Sequence, residues 1–593
     1  MVPLQHFDKI LFKQPRFYPQ KPLDNLVGID SEAYRDGTTF MFCTSAGESI
    51  RPTELFDVIF SPKYEGSNFV TWNLKYESGA ILKMLPRKEL KELQAHHKTI
   101  FMYGKRKFHI KYVPHKCLIF RESKFAGRTT RFWDISPFYG RIKLNTAAKT
   151  YLEKEKDDVD PNLFTPEYVD KNYAMIEHYC IQDAILTKDL ADLWIKKFSA
   201  TKVPVTSLYS EASISFAYFS QHTEIVTPYE FWENNRTLLR YAFESYEGGK
   251  FLITQRGSFS GYEYDISSAY PAEIADLVDI RHADVIYSKK YCYEAMYGFL
   301  RVRVSFSDPD IHLPCGIFKK LRLYPMGTYF LTITKQEYDY ITTKLPSVSV
   351  DIISAAWLIV DRRIYPYRDI VNELYELKSQ YKKTDPLRSK NYKIILNGFY
   401  GKLAQCLETE TGTYTAGQGW NPIYASVITA NTRIAVTRLQ NYLGPNCIAV
   451  HTDSIMSTVP IPNECIGSGL GAFELVESGP IVLVACGIYE INGQCALKGF
   501  RKNSITKILA ENPDKTKITL KYLHVESWLQ AMAQNHDISN INLFSTLPKI
   551  LRLNCDTKRE WPDNMTSTQF LTTRQKSSPL IEKMDSYPAY WKE

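Results

Sequence analysis

The sequence predicts an α+β fold that is divided among several domains. Its 593 residues exceed what one hydrophobic core organises, because single cores stop growing near ~250–300 residues. Apolar strand-like runs, such as Leu26–Asp30 and Tyr112–Phe120, alternate with helical stretches such as Met175–Phe198. The pattern changes after Lys202-Val-Pro, so we place a domain boundary near residue 200.

Composition narrows the class of protein. The 44% hydrophobic and 23% charged content is typical of globular chains, and no apolar run reaches the roughly eighteen residues of a membrane span. The N-terminal segment lacks an apolar core of signal-peptide length. Eleven cysteines without a C-x-x-C pair argue against zinc ribbons and iron–sulfur clusters and for a reducing compartment. We therefore expect a soluble intracellular protein without a membrane partner.

Aromatic and basic residues are both frequent. The net charge is +8, and the chain has 40 Tyr and 9 Trp. This mixture suits base stacking and phosphate neutralisation on single-stranded nucleic acid. Composition alone fits a tyrosine-rich surface without such a role equally well.

The clearest chemical signals lie between residues 261 and 459. Asp265 ends a predicted strand, and Asp453 lies in a tight turn between two strands within Cys447–Val459. Either aspartate alone is more often a turn former. The two aspartates are interpreted together with a predicted helical region over Ile370–Gln405. This region is interrupted at Asp385-Pro386.

Helical spacing brings polar residues of that region onto one stripe. At 100° per residue, Lys393, Asn397 and Tyr400 fall together beside Lys390, opposite an apolar face. A solvated helix face is the alternative, but it seldom selects Asn and Tyr. A lysine for a triphosphate beside a stacking tyrosine predicts a nucleotide site. Two aspartates from separate strands also suit two Mg²⁺ ions, which take one or two carboxylates each and drive phosphoryl transfer.

These segments resemble the three polymerase motifs of family B DNA polymerases, in the same order. The matching runs are D-I-S-S-A-Y-P, K-I-I-L-N-G-F-Y-G and H-T-D-S. The resemblance implies two Mg²⁺ or Mn²⁺ ions per active site, dNTP substrates, and a DNA template and primer as partners. It makes Asp265, Asp453 and the Ile266 carbonyl metal ligands and Tyr270 the residue that excludes a 2′-hydroxyl. Lys390, Lys393, Asn397 and Tyr400 would bind the nucleotide. His451 departs from the usual Asp.

The first 200 residues resemble the exonuclease motifs of the same family. Asp30 and Glu32 lie two residues apart on one strand face, and Tyr179 and Asp183 lie four apart on one helix face. The segment Asn73-Leu-Lys-Tyr-Glu77 is the third. The resemblance makes Asp30, Glu32, Glu77 and Asp183 metal ligands, has Tyr179 orient water, and brings Asn73 and Tyr76 to the primer end. Glu77 departs from the usual Asp.

Other features resemble the protein-primed group of this family, which includes small phage, archaeal-virus and linear-plasmid enzymes. Tyr246-Glu-Gly248-Gly249 resembles its Tyr-x-Gly-Gly segment, and Lys498-Gly-Phe resembles its primer-gripping motif. The resemblance places these four residues, Tyr246, Gly248, Gly249 and Lys498, on DNA. Gly316–Arg363 is long enough for the group's first insertion, which contacts terminal protein. Leu407–Trp420 is short for the second, the loop linked to strand displacement.

The resemblance implies an RNase H-like 3′–5′ exonuclease followed by a right-hand polymerase. The expected domains are the exonuclease at 1–200, a connecting segment at 201–260, a palm at 261–510 and a thumb at 511–593. Fingers at about 366–405 and a terminal-protein insertion at about 316–363 interrupt the palm.

The implied function is replication of a linear viral or plasmid genome, in the host cytoplasm or an organelle. A monomer is expected to work with a terminal protein and a single-strand-binding protein. The alternatives are a polymerase that extends ordinary primers only, one with an inactive exonuclease site, a stand-alone exonuclease, or a non-catalytic remnant that binds nucleic acid.

Overall fold

The N-terminal region is built on one sheet, in the strand order β4-β3-β2-β5-β9-β8-β7-β6. The computed structural model describes residues 3–13, 21–123, 128–409, 411–500 and 503–591. The strands are β1 (Ile10–Leu11), β2 (Leu26–Ala33), β3 (Thr39–Thr44), β4 (Ser49–Ile50), β5 (Asn68–Thr71), β6 (Lys98–Tyr103), β7 (Arg106–Val113), β8 (Cys117–Glu122) and β9 (Thr129–Asp134). The helices are α1 (Leu55–Ile59), α2 (Leu74–Leu82), α3 (Arg87–His96), α4 (Leu144–Tyr151) and α5 (Pro166–Ser199). We call this sheet the N-terminal sheet.

Two local predictions can be compared directly with this region. The helix expected over Met175–Phe198 is α5, which begins earlier because Thr165 caps the backbone N–H of Tyr168 and Pro166 fits its first turn. The single strand expected over Tyr112–Phe120 is wrong. It is the β7–β8 hairpin, because Pro114 lacks a backbone N–H for the ladder and His115 has a left-handed φ of 58°.

The central region begins with helices and leads into a second sheet. Its first elements are α6 (Glu211–His222), α7 (Tyr229–Asn234), α8 (Arg236–Ser245), β10 (Lys250–Ile253), β11 (Gln255–Ile266) and α9 (Ala269–Ala275). They are followed by β12 (Asp284–Tyr287), β13 (Tyr297–Phe306), β14 (Ile317–Phe318), β15 (Arg322–Leu323), β16 (Met326–Thr334), α10 (Lys335–Lys344) and β17 (Ser349–Ile359).

The segment 316–363, expected as a separate insertion, shares a sheet with the chain before it. Strand β13 lies between β16 and β17 and pairs antiparallel with both. The complete order is β12-β17-β13-β16-β30. The structural unit therefore starts by Asp284, the first residue of β12, which pairs with β17. Without β13 between them, β16 and β17 could not satisfy the hydrogen bonds of their inner edges. We call the elements from β13 to β17 the β13–β17 unit.

The helical region expected over Ile370–Gln405 is confirmed as α11 (Arg368–Tyr381), α12 (Pro386–Gly398) and α13 (Tyr400–Leu403). The interruption at Asp385-Pro386 is a helix start, since Asp385 accepts a hydrogen bond from the backbone N–H of Arg388. Next come β18 (Cys406–Glu408), β19 (Tyr414–Ala416), α14 (Pro422–Leu443), β20 (Cys447–Thr452) and β21 (Ser454–Ser457). Residue 410, inside the expected short second insertion, lies outside the described residues.

The remaining elements run from the central sheet to the C-terminal region. They are β22 (Phe473–Ala485), β23 (Ile488–Ile491), β24 (Gln494–Leu497), α15 (Ile505–Ala510), β25 (Lys517–Val525), α16 (Trp528–Ala533), β26 (Phe544–Arg552), β27 (Arg559–Glu560), α17 (Ser567–Thr572), β28 (Arg574–Lys576), β29 (Ser578–Pro579) and β30 (Ile581–Lys583). The central sheet has the order β10-β20-β21-β11-β22-β23-β24, with β28 also on β11.

The C-terminal region packs back onto the N-terminal sheet. Trp528, Ala531, Met532 and Ile541 belong to the same buried cluster as residues of α2, α3 and β7. The ring of Trp528 meets that of Tyr112 edge-on, with centroids 4.9 Å apart. The two ends of the chain therefore share one hydrophobic core. Across the described residues, no helix is both long and apolar enough to cross a membrane.

Candidate active sites

Asp265 and Asp453 come together where β11 runs beside the β20–β21 hairpin. Asp265 pairs across the strands with Ser454, and the backbone N–H of Ile266 donates to the carbonyl oxygen of Asp453 at 3.0 Å. Thr452, just before the turn, has φ 66°, a region that non-glycine residues seldom adopt. The hairpin thus holds Asp453 in a fixed place beside the end of β11.

A cavity of about 630 Å³ opens over both aspartates. One side is the end of β11 and the start of α9, and the opposite side is the helix pair α11–α12. The predicted nucleotide residues Ile266, Tyr270, Lys390, Lys393 and Asn397 all line it. The structure therefore brings these parts of the three separate motifs to one cavity.

Charge in this cavity is divided between its two walls. Burial, and then the carboxylates of Asp453 and Glu263, raise the pKa of Asp265 to about 7. Burial also raises the pKa of Asp453. Such crowded carboxylates stabilise bound cations, and hard divalent ions such as Mg²⁺ or Mn²⁺ suit an all-oxygen donor set.

Three residues on the cationic and acidic walls were missed by the sequence reasoning. Lys378 lies on α11, Lys382 follows the last residue of that helix, and Glu474 lies on β22; all three line the cavity. Lys378 donates to the Ser268 hydroxyl at 3.0 Å, which joins α11 to the start of α9. The i, i+4 spacing of the two lysines predicts that they share one helix face. The polar stripe predicted from the sequence covered only the stretch from Lys390 to Tyr400.

Tyr400 connects Tyr270 to the Tyr-x-Gly-Gly segment. Its ring lies against that of Tyr270, with centroids 4.5 Å apart. Its hydroxyl shares a 2.6 Å hydrogen bond with the hydroxyl of Tyr246. Burial raises the pKa of Tyr270 to about 12, so the phenol is neutral. Tyr270 is therefore fixed from behind by a chain of tyrosines.

The Tyr-x-Gly-Gly segment joins α8 to β10 and touches the β20–β21 hairpin. A Cβ on Gly249 would lie 2.3 Å from Cγ2 of Thr452, so only glycine fits there. The fully buried Arg433 on α14 donates to the carbonyl oxygens of Glu247 and Gly248 at 2.7 and 3.0 Å. This loop is consequently held against the residue that precedes Asp453.

His451 and Lys498 lie on the far side of the same hairpin. Burial lowers the pKa of His451 to about 4, so the imidazole is neutral near pH 7. Its ring stacks on Tyr489 and leans on Phe251, with centroids 5.2 and 4.8 Å apart. The Lys498 ammonium lies 5.3 Å from the ring centre of Phe251, as does that of Lys558. Lys558 is a second cation there that no motif indicated.

A second acidic cavity, of about 460 Å³, lies at the N-terminal sheet. Asp30 and Glu32 reach it from β2, Glu77 from the first turn of α2, and Asp183 from α5. Asn73 and Tyr76 line it too, whereas Tyr179 lies one helical turn before Asp183. The residues predicted for the exonuclease site thus gather in one place, Glu77 included.

The environment of Asn73 explains how α2 begins. Asn73 has the left-handed conformation φ 89°, ψ 66°. Its backbone N–H donates to the Asp134 carboxylate at 3.2 Å, and the same oxygen accepts from the backbone and hydroxyl of Ser136. Asp134, at the end of β9, therefore fixes the turn that presents Asn73 and Glu77. No sequence motif pointed to it.

The carboxylates of this cavity have the properties of a cation site. Oxygen atoms of Asp30 and Glu32 and the sulfur of Cys180 lie within 4.8 Å of one another. Burial, then the neighbouring Asp183, raise the pKa of Asp30 to about 8. Among the described residues, Oε2 of Glu77 and Oδ1 of Asp183 are buried without a hydrogen-bond partner. These orphaned oxygens fit divalent metal ions.

Lys156 was missed because it lies in a charged loop between α4 and α5 that carries no motif. Its ammonium forms an ion pair with Asp183 and lies 4.3 Å from the ring centre of Tyr179. Burial raises the pKa of Asp183 to about 6 against the opposing effect of Lys156. Nothing in the local sequence distinguishes this lysine from its solvated neighbours.

The C-terminal region forms one rim of the acidic cavity. Leu523, Phe544, Ser545 and Thr546, from the β25–β26 hairpin, line it together with Tyr76. The amide of Asn542 donates to the backbone carbonyl of Tyr76 at 3.0 Å. No sequence pattern pointed to this contact, because the C-terminal residues carry no chemical motif.

Comparisons with known proteins agree on one family. The sequence model of the family "DNA polymerase type B, organellar and viral" matches residues 137–433. A DNA polymerase of Acidianus bottle-shaped virus (isolate Italy/Pozzuoli) is 27% identical over 54% of this chain and 48% of its own length. The "Primer-independent DNA polymerase PolB" of Escherichia coli is 25% identical over 37% of this chain and 28% of its own length. The chain thus spans about half, or less, of these curated relatives.

Solved structures of Phi29 DNA polymerase have a similar fold. The complex with primer-template DNA and incoming nucleotide superposes with a TM-score of 0.62 at 15% identity, over 91% of this chain and 100% of that one. The binary complex with primer-template DNA gives 0.61 over 89% and 100%. The expected multidomain α+β fold is confirmed, and it is similar to the fold of Phi29 DNA polymerase.

Proposed function

Because the chain belongs to the DNA polymerases of type B, organellar and viral, we propose that it is a template-directed DNA polymerase. We further propose that it proofreads with a 3′–5′ exonuclease and starts synthesis on a terminal protein. The observation that carries the polymerase proposal is that Asp265 and Asp453 lie together in one cavity, opposite the lysines of α12.

The polymerase cavity has a residue for each part of a dNTP. Lys393 and Lys390 on α12 and Lys378 on α11 offer cations to the triphosphate. Tyr270 closes the side where a 2′-hydroxyl would extend, and Asn397 borders the base-pair space. Asp265 and Asp453 would hold two Mg²⁺ or Mn²⁺ ions. When bound, such ions stabilise the charge that develops on the attacking and leaving oxygens.

The acidic cavity supports the proofreading proposal. Asp30, Glu32, Glu77 and Asp183 would hold the cations there, and Tyr179 would orient the attacking water. Tyr76 and Asn73 offer a ring and an amide to a frayed primer end. The Phe544 ring lies near that of Tyr76, with centroids 6.4 Å apart, so a base entering the cavity meets aromatic surface.

Two sets of variants, one in each cavity, test the two activities. Asp265→Asn and Asp453→Asn should each lower primer extension at least ~100-fold, since even outer partners of metal ligands cost about 10–100-fold, while single-strand degradation persists. Asp30→Ala with Glu32→Ala should abolish degradation and keep extension. Each variant is the control for the other. Extension at wild-type rate by Asp265→Asn sinks the polymerase assignment, and an unmodified protein that degrades nothing with Mg²⁺ or Mn²⁺ sinks the exonuclease.

Protein priming rests on two features of this chain. The Tyr246–Gly249 loop resembles the segment of the protein-primed group, and the β13–β17 unit packs onto that loop: the backbone N–H of Gly316 donates to the Glu247 carboxylate, 3.2 Å away. A linear genome copied from its very end leaves no room for a removable RNA primer, so a protein hydroxyl solves a geometric problem. The partners would be a terminal protein and a single-strand-binding protein on a linear viral or plasmid genome.

Labelled dNTP, Mg²⁺ or Mn²⁺ and a candidate terminal protein from the same genome test this priming. Label should join that protein covalently, resist denaturation and nuclease, and disappear with Asp453→Asn. Products made on oligonucleotide primers alone would favour ordinary priming. Products made with neither primer nor protein would favour the primer-independent behaviour that the Escherichia coli relative's name describes.

A further inference from the structure

One face of the N-terminal sheet, which we call the basic face, carries cations at successive outward positions. On β7 these are Lys107, His109 and Lys111, which alternate with the buried Phe108 and Ile110. Because side chains alternate between the two faces of a strand, the cross-strand partners of these residues share their face. The basic face belongs to neither active cavity described above.

The strand register extends this face over four strands. Lys111 pairs with Lys98 on β6, His109 pairs with Arg121 on β8, and Ile119 pairs with Arg131 on β9. Among the described residues of these strands, the outward positions carry no carboxylate. The two carboxylates that border the face are engaged: Glu92 accepts from Thr99 at 2.7 Å, and Glu122 binds Arg106 at 2.8 Å.

This arrangement costs stability in the free protein. Like charges directly opposite each other on a sheet are destabilising, whereas opposite charges there contribute roughly 0.2–1 kcal/mol. The pKa of Arg131 is lowered by burial and then by the charge of Arg121, so the repulsion acts within the face. A polyanion laid across these residues would relieve it.

The shape of the basic face also suits an extended polyanion. A groove of about 850 Å³ runs over Lys98, His109, Lys111 and Arg121. Ile100 and Met102 beside it are 44% and 56% exposed, which gives apolar surface between the cations. A chain with alternating charged and flat apolar groups matches that pattern, as a single strand of nucleic acid does.

The basic face continues toward the polymerase cavity. Lys111 and Lys116 lie 5.6 and 5.0 Å from the ring centre of Tyr209. Burial lowers the pKa of Lys402, on α13, and the charge of the nearby Lys116 lowers it further. Lys402 follows Tyr400 by two residues, so a line of cations and the half-buried ring of Tyr209 joins the sheet to the helices over Asp265.

We propose that the basic face binds the single-stranded template on its way to the polymerase cavity. The occupant is a single DNA strand, held by its phosphates and not read by sequence. This inference rests on the proposed polymerase function, because the strand it binds is the one that the cavity copies. An acidic surface of a partner protein is the competing occupant that the experiment must separate.

The test compares two triple variants with equal loss of charge. The first is Lys107→Gln/Lys111→Gln/Arg121→Gln, on the basic face. The matched control is Lys88→Gln/Lys91→Gln/Lys171→Gln, exposed positions on α3 and α5. Both are titrated with fluorescent primer-template DNA whose template overhang is either ~3 or ~25 nucleotides, lengths that fall below and above typical single-strand sites. Thermal unfolding of both variants checks the fold, and the first should be as stable as the parent or more so.

The parent and the control should bind DNA with the long overhang more tightly than DNA with the short one. The first variant should lose most of this difference in affinity. Its slope of log affinity against log salt should fall by about 2, at roughly 0.7 per lost phosphate contact on single strands. Extension of the short-overhang DNA should be unchanged. An equal gain in both variants overturns the proposal. So does a first variant with normal DNA binding that is defective only with the terminal protein. A parent that neither binds nor extends the short DNA refutes the polymerase function instead.

Discussion

Tyr270 shows how one side chain depends on a line of others. Its ring is held by Tyr400, and Tyr400 is held by the hydroxyl of Tyr246. Tyr270 follows Asp265 by five residues, across the short turn into α9, so its position relative to the Asp265 carboxylate is fixed at both ends. A residue held in this way can reject a sugar by contact, because it cannot move aside.

Tyr270→Ala should therefore admit ribonucleotides. We expect the ratio of ribo- to deoxyribonucleotide incorporation to rise roughly 10–200-fold, the range that small steric differences provide in enzymes. Single-turnover insertion of each nucleotide opposite one template base measures it. Tyr270→Phe, which keeps the ring, is the control and should discriminate as the parent does. An unchanged ratio in Tyr270→Ala would remove this residue from sugar selection.

At the scale of elements, the loop Tyr246–Gly249 and the hairpin β20–β21 behave as one support. Strand β10, which follows the loop, pairs with β20, and Lys250 lies opposite Thr452. Arg433 binds the loop and also forms a buried ion pair with Glu337 of α10 at 2.7 Å. Glu247 in turn binds Arg322 at 3.0 Å. The position of Asp453 is thus tied to the β13–β17 unit as well as to the central sheet.

Gly249→Ala tests this support. The new methyl group collides with Thr452, so the hairpin must shift, and primer extension should fall about 10–100-fold because active sites are sensitive to ~1 Å displacements. Gly248→Ala is the matched control, since its methyl group meets no protein atom within 4 Å. Exonuclease activity on single strands should survive in both variants. Equal extension by the two variants would contradict the role given to the hairpin contact.

Sequence reasoning succeeded mostly where neighbours along the chain decide the outcome, although it missed the local turn at Pro114-His115. Asp385-Pro386 begins a helix by local capping, and the turn at Asp453 follows from two short apolar strands. It failed where distant segments meet. Lys156 acquires its role only beside Asp183, Lys378 only across from Ser268, and Phe544 only after the C-terminal hairpin reaches Tyr76. No local pattern encodes such contacts, since they depend on packing between regions hundreds of residues apart.

At the scale of the whole molecule, the C-terminal region packs against the N-terminal sheet and lines part of the acidic cavity. Trp528 is fully buried against Tyr112 in the core beneath β7, and the neighbouring hairpin lines the acidic cavity. A change deep in this C-terminal contact should therefore affect the exonuclease more than the distant Asp265 cavity.

Trp528→Ala should separate the two activities on heating. Removing a buried Trp costs about 3–5 kcal/mol, here at the junction of the C-terminal region with the N-terminal sheet. After brief incubation at rising temperatures, degradation of single strands should be lost several degrees before extension of annealed primers. Trp561→Ala, at a partly buried site elsewhere in the C-terminal region, is the comparison. Simultaneous loss of both activities in Trp528→Ala would mean that the core behaves as one cooperative unit.

The shared core also has a consequence for synthesis of the protein. Ribosomes add about 5–20 residues per second, and N-terminal domains generally fold first. Here the core beneath β7 needs Trp528, Met532 and Ile541, which emerge roughly 20–70 seconds after α5 at that rate. During this interval the apolar surface of α2 and α3 that these C-terminal side chains cover is exposed. A nascent chain of this protein should accordingly be a prolonged client of chaperones, and its earliest domain among its last to be completed.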